Sequence, residues 1–400
     1  MANEIYYDPF DYEVDMDPHP VWKRMREEMP LYYNDKFDFY ALSRYEDVMA
    51  ASKDWETFSS AYGTTLDMMR NPEMLDLGRT ILTMDPPEHD QLRSLVGRRF
   101  TPKAAKSMED EVREIVSTWL DQLKGRASFD FIQDFGALVP MMVICSFMGL
   151  PKEDHDSVRK LVDASLHREE GQDSFDMDTM MRSIRYYDGA LAIREFESRD
   201  DFISELITAN VKLDDGTTRP LTQSERINFL SLTAGGGNET VARLLGWAGA
   251  LLAEHPEQRK LLVDNPDLIP QAVEEILRFE SPSPVQGRTV MKDIELHGTT
   301  IKKGSIVLLL TNSANRDADA YEDPDTFNIM REPKQHASFG FGAHFCVGAA
   351  LARLEGRVAL EETLKRYPEW DVEWTDTERV HTSSVRGYLK LPVKVTPVAV

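Results

Sequence analysis

Residues 339–348 read FGFGAHFCVG, and the cysteine among them, Cys346, decides how the rest of the chain is read. The only other cysteine is Cys145, set in the apolar run MMVICSFMGL (141–150). Two cysteines cannot build a disulfide framework, which points to a reducing compartment. Zinc usually takes three or four protein ligands, and His344 alone does not complete a site around Cys346. A nucleophilic thiol needs a base and an oxyanion site, and no local signature supplies them. A buried structural cysteine leaves Gly340, Gly342 and Gly348 unexplained.

A thiolate ligand to haem iron accounts for the whole stretch. A glycine-rich backbone can curl beneath a flat macrocycle and turn its amides toward the sulfur. The next residues, VGAALARLEGRVALEETLKRY (347–367), form an amphipathic helical pattern. Cys346 therefore sits at a helix N-terminus, where the dipole favours an anion. Haem also carries two propionates, which need cations.

Working outward, 42% of the 400 residues are hydrophobic, ample for a large core. No linker, low-complexity tract or repeat marks a boundary, so one domain over 1–400 is expected. The N-terminus is acidic and polar, and no apolar run reaches spanning length, which predicts a cytoplasmic protein. A net charge of −23 argues against general nucleic-acid binding. Against that background RSLVGRRFTPKAAK (93–106) stands out, with Arg93, Arg98, Arg99, Lys103 and Lys106 and no acid.

Helical patterns dominate: 103–124, 137–149, 154–169, 178–196 and 201–211. Strand patterns are few: 37–43, several turns of chain over 288–312 pivoting at Gly298 and Gly304, and 387–398. The longest helix is expected over 222–254, about 50 Å at 1.5 Å per residue. Thr222 and Glu225 form a capping-box pattern at its start. Gly235, Gly236 and Gly237 in its middle predict either a break or a local deformation where the backbone approaches something large and flat. Glu239 and Thr240 follow, an acid beside a hydroxyl, which suits proton delivery.

These stretches together carry a resemblance. FGFGAHFCVG resembles the haem-binding loop of the cytochromes P-450, the haem-thiolate monooxygenases. EEILR, with Glu275 and Arg278, is similar to the family's Glu-x-x-Arg helix. NRDADAYEDPDTFNIMR (315–331) resembles its meander, with Arg331 as third member of a Glu–Arg–Arg network. GGNET (236–240) resembles the oxygen-activation motif, and DPPEHDQLRSLVGRRFTP (85–102) the helix that holds a propionate. The resemblance runs over essentially the whole chain. It implies a mainly α fold with a minor β component: a triangular prism of helices with small sheets, haem lying between the long central helix and the helix after the cysteine.

The resemblance also implies roles. Cys346 would be the axial ligand of haem b iron and Phe339 would shield the sulfur. Gly340, Gly348 and Gly236 would approach the macrocycle. His89, Arg93, Arg288 and His344 would face the propionates. Thr240 would organise water near dioxygen and Glu239 would relay protons. Substrate would meet Leu66, Met69, Leu75, Leu77, Leu232, Thr233, Val285, Gln286 and Val385. Methionines 68, 69, 74, 177, 180 and 181 would give adaptable segments. The implied reaction is O2-dependent monooxygenation of a medium-sized apolar molecule such as a terpenoid, steroid or fatty acid. Electrons would come from a ferredoxin and its NAD(P)H-dependent reductase, docking on Arg98, Arg99 and Lys103 with Arg353 and Arg357 close by. A peroxide-driven peroxygenase and a non-enzymatic haem protein are the alternatives.

Overall fold

The computed structural model describes residues 5–76, 78–166, 177–332, 334–382 and 385–396. Helices make most of the structure, and they gather around one helix that runs from Gln223 to Glu254. Thr222 caps it reciprocally with Glu225, as the capping-box pattern requires. From Val241 to Leu252 every residue is buried, so this half is covered on all sides. The Leu138–Met148 helix, itself apolar all round, packs along it.

Neither the break nor the local deformation expected at the glycines occurs. The helix stays α-helical through Gly235, Gly236 and Gly237, with no change of helix type. Packing explains one of them: a Cβ on Gly237 would lie 2.4 Å from Ile144 Cδ1 of the Leu138–Met148 helix, whereas Gly235 and Gly236 face open space. The close approach of two helices, more than a deformation, requires glycine at 237.

Other expectations shift at their ends. The predicted 103–124 helix is two, Pro102–Ser107 and Glu109–Gln122, joined at Met108. Glu109, Asp110 and Glu111 form an acidic first turn, which favours a new N-terminus there. The 201–211 helix ends at Thr208, because Asn210–Lys212 pairs with Thr218–Pro220 as a hairpin. The part of the 154–169 pattern beyond Leu166 lies outside the described residues.

The main sheet has five strands in the order 31–34, 39–42, 306–309, 286–290 and 58–59. Strand 306–309 runs parallel to 39–42 and antiparallel to 286–290, with Val307 opposite Arg288. This register buries Arg288 inside the protein. Gly298 and Gly304 turn the intervening chain with φ of 75° and 90°, as the sequence predicts.

Candidate active site

The helix Ile269–Phe279 carries two consecutive acids that face different neighbours. Glu275 holds Arg278 by two bonds of 2.7 and 2.8 Å, and both side chains are buried. Arg331 joins at 3.3 Å. Arg278 and Arg331 then donate to the carbonyls of Asn315, Pro324, Asp323 and Thr326. The three residues expected to form a network do form one, and it ties the 315–331 chain to the helix.

That anchored chain positions the cysteine loop. Asn315 accepts from the Ala337 amide at 2.6 Å and donates to Ser338 Oγ at 2.8 Å, and Ser338 donates to Leu277 O. The loop turns at Gly340 and Gly342, with φ of 66° and 67°. A Cβ on Gly342 would also sit 2.9 Å from Ser52 O, so the loop lies directly on the end of the Tyr45–Lys53 helix. The Cys346 amide closes the turn on Phe339 O at 2.7 Å.

Cys346 immediately precedes the helix Ala349–Arg366. Its side chain is accessible. The surrounding protein is nevertheless dense, and burial pushes the thiol's pKa up. The amides of Gly348 and Ala349 and the charges of Arg93 and Arg353 act in the opposite direction, favouring thiolate. Cys145 differs: it is fully buried beside Met141 and its thiol is pushed up to about 12 by burial. Among the described residues no cluster of three or more His, Cys, Asp or Glu could hold a metal ion, so Cys346 belongs to no multi-ligand centre.

His89, Arg93, Arg288 and His344 converge as expected. The rings of His89 and His344 are 4.6 Å apart. Both Nε2 atoms are buried without a hydrogen-bond partner. Asp90 meets only the Nδ1 side of His89, at 2.7 Å. Arg93 donates to Phe345 O. Burial, then the charges of Arg288, His89 and Arg93, drive the His344 pKa down to about 3. Burial lowers Arg288 to about 10. Two buried imidazole nitrogens without a partner, beside the cationic Arg93 and Arg288, leave a polar gap that an acidic ligand would fill: it would pair with the arginines and draw a proton onto the rings.

On the central helix, Thr240 Oγ1 donates to Gly236 O at 2.7 Å. Glu239 is not beside it. Its carboxylate turns away to Arg243, at 2.6 and 3.2 Å, and both are buried. Arg243 is held in turn by Tyr388 O. Adjacent helical residues point about 100° apart, so neighbours in sequence are not neighbours in space. The reading of a free acid next to the threonine is corrected accordingly.

The expected substrate residues divide. Leu66, Val285 and Val385 line one cavity, together with Phe10, Val14 and Trp22 from the N-terminal segment, which sequence reasoning missed. Leu232 lines a separate cleft with Ile81, Met84 and Phe229. Met69 packs on Gly287, where a Cβ would meet its sulfur at 2.6 Å. Gln286 donates to Ser283. Leu75 and Thr233 line neither space. Leu77 and the side chains of Met74 and Met177 lie outside the described residues.

The expected basic docking patch is also smaller. Arg99 pairs with Glu205 and Asp200, Arg353 with Glu274, and Arg357 with Glu109 and Glu361. Arg98, Lys103 and Lys106 are exposed and form no ion pair among the described residues.

The site thus combines a thiol at a helix start, a buried cluster of histidines and arginines, and a long buried central helix. The chain belongs to the cytochrome P450 family. It is 40% identical to cytochrome P450 123 of Mycobacterium tuberculosis over 398 residues, covering 98% of this chain and 97% of that protein. The family model for cytochrome P450 matches residues 263–395. The solved polyketide-synthase cytochrome P450 PksS of Bacillus subtilis superposes with a TM-score of 0.89 at 31% identity, covering 98% and 100% of the two chains. CYP109E1 of Bacillus megaterium, solved with corticosterone, gives 0.84 at 28% identity over 96% of this chain and 99% of that one. The protein is thus a haem-binding P450 monooxygenase of the kind found in bacteria. No helix among the described residues is long and apolar enough to cross a membrane.

Proposed function

We propose that Cys346 supplies the axial thiolate of haem b, and that His89, Arg93, Arg288 and His344 hold its propionates. The observation that carries this reading is the pair of buried, partnerless imidazole nitrogens beside two arginines. Two carboxylates would pair with the arginines and draw a proton onto these nitrogens, and the Cys346 side chain is accessible. Phe339, Gly340 and Gly348 shape the loop on the sulfur side, and Gly236 leaves room on the other. Glu275, Arg278 and Arg331 keep the loop in place. Residues 1–400 act as one domain in the cytoplasm.

The haem, when bound, supplies dioxygen activation and the transfer of one oxygen atom to a C–H bond. The chain supplies protons and orientation. Thr240 holds a hydroxyl at Oγ1 whose lone pairs remain free to accept from water. Glu239 is ion-paired with Arg243 and takes part in proton traffic when that pair opens.

The substrate is a medium-sized apolar molecule such as a steroid, terpenoid or fatty acid. Support comes from the steroid-bound relative and from the apolar side chains of Leu66, Val285 and Val385, which share a cavity wall with Asp15 and Arg386. Electrons come from a small acidic ferredoxin served by an NAD(P)H-dependent reductase. Exposed Arg98, Lys103 and Lys106, in a chain of net charge −23, favour such a partner. A panel of steroids, terpenoids and fatty acids tests the substrate reading. At least one class should shift the haem spin state on binding and be hydroxylated. A shift only with charged or highly polar compounds would contradict it.

A further inference from the structure

The acid beside the network glutamate has its own task. Glu274 grips Arg353 with both oxygens, at 2.7 and 2.9 Å, and meets His336 Nε2 at 3.3 Å. His336 is buried, and its Nδ1 accepts from the Ser338 amide at 3.3 Å. That bond assigns the ring proton to Nε2, which donates to Glu274. Phe339 lies between the two partners. The Arg353 guanidinium sits over its ring at 4.4 Å and the His336 ring is 5.7 Å away. The Phe339 carbonyl is the group that accepts the Cys346 amide.

One carboxylate therefore ties both flanks of the cysteine loop, His336 before it and Arg353 after it, to the Ile269–Phe279 helix. It also balances a charge beside the loop: Arg353 lies over the ring of Phe339, whose carbonyl accepts the Cys346 amide, and Glu274 neutralises that charge. Burial pushes the Glu274 carboxyl up, but His336 and Arg353 outweigh it and hold its pKa down at about 2, so it is anionic at neutral pH.

We propose that Glu274 is a positioning residue for the axial cysteine: by binding His336 and Arg353 together it fixes Phe339 against the loop and offsets the Arg353 charge beside it. This rests on Cys346 being the iron ligand. Outer partners of a metal ligand set both its orientation and its electron donation.

The test uses purified holoenzyme, reduced chemically so that no protein partner enters. Three variants are compared: Glu274→Gln, Arg353→Gln and the double variant. Two quantities are read: the midpoint potential, and the rate at which the ferrous carbon monoxide complex loses its thiolate-type Soret band. Glu274→Gln leaves Arg353 uncompensated, so its potential should rise, and the band should decay about tenfold faster. Arg353→Gln should lower the potential. The double variant should return the potential close to wild type while decaying fast, because the charges cancel but the staple is gone. A merely structural role would move decay and thermal stability and leave the potential unmoved in all three. That pattern, or an unchanged decay rate in Glu274→Gln, would overturn the proposal. Arg353→Lys is the milder variant: it keeps the charge and loses the two-pronged grip. It should decay faster at near-native potential, and native behaviour in both readouts would also overturn the proposal. Wild-type enzyme without a thiolate-type band would instead refute the assignment of Cys346 itself.

Discussion

The cysteine loop and the glycine stretch of the central helix are built on opposite plans. Around the loop, side chains are pinned to backbone and to one another: Glu274 to both flanks, Asn315 and Ser338 to its start, Glu275 and its arginines to the chain beneath. On the central helix, Gly235 and Gly236 face open space, Thr240 bonds only its own backbone, and Asn238 is fully buried with both polar atoms unpartnered. A metal ligand gains from a fixed geometry. A surface that must admit substrate, dioxygen and water gains from slack.

The contrast is open to attack at four points. The largest effect is expected where the rigid side is cut. Arg278→Ala leaves buried Glu275 with only Arg331 and the Asn328 amide as partners, which should cost about 3 kcal/mol in unfolding free energy and lower haem content. Denaturant titration with a haem-to-protein ratio reads both, and a variant as stable as wild type would deny that the network holds the loop.

Next come the glycines. Gly237→Ala should destabilise by about 1–3 kcal/mol through its clash with Ile144. Gly235→Ala meets nothing and should be neutral or stabilising by about 1 kcal/mol. Melting curves that rank the two in reverse would refute the packing account. Thr240→Ala should keep its haem and accept electrons. It should form product about tenfold more slowly and release more peroxide per NAD(P)H, as expected when ordered proton delivery is lost. Full coupling with a true substrate would remove Thr240 from that role. The smallest effect belongs to the surface. Reversing charge at Arg98 and Lys103 together should slow ferredoxin-driven reduction severalfold and flatten its salt dependence, with chemical reduction unchanged. Equal salt sensitivity would place docking elsewhere.

Local patterns in the sequence proved readable where physics is local. The capping box set the start of the central helix at Gln223, and Pro256 follows its end. Glu275 and Arg278 could be paired because they lie three apart on one helix. Their neighbour Glu274 could not be read, since His336 and Arg353 are 62 and 79 residues away and no short motif joins them. The Glu239–Thr240 pair misled for the converse reason: sequence adjacency carries no information about which way a helical side chain points. The paired arginines at 99 and 353 misled because their acids come from other elements, and Arg357 is held both by Glu109 of another helix and by Glu361 of its own. The cavity wall supplied by Phe10, Val14 and Trp22 needed the tertiary fold to bring the N-terminal segment against Val285 and Val385.

The central claim is that one of two cysteines binds iron and the other only fills the core. Reduced, carbon monoxide-treated protein compares them directly. Cys145→Ser should retain the strongly red-shifted Soret band of thiolate ligation, since that side chain is buried beside Met141. Cys346→Ser should abolish the band while the far-ultraviolet signature of the helices persists. A red-shifted band that survives in Cys346→Ser, or disappears in a folded Cys145→Ser, would contradict the account.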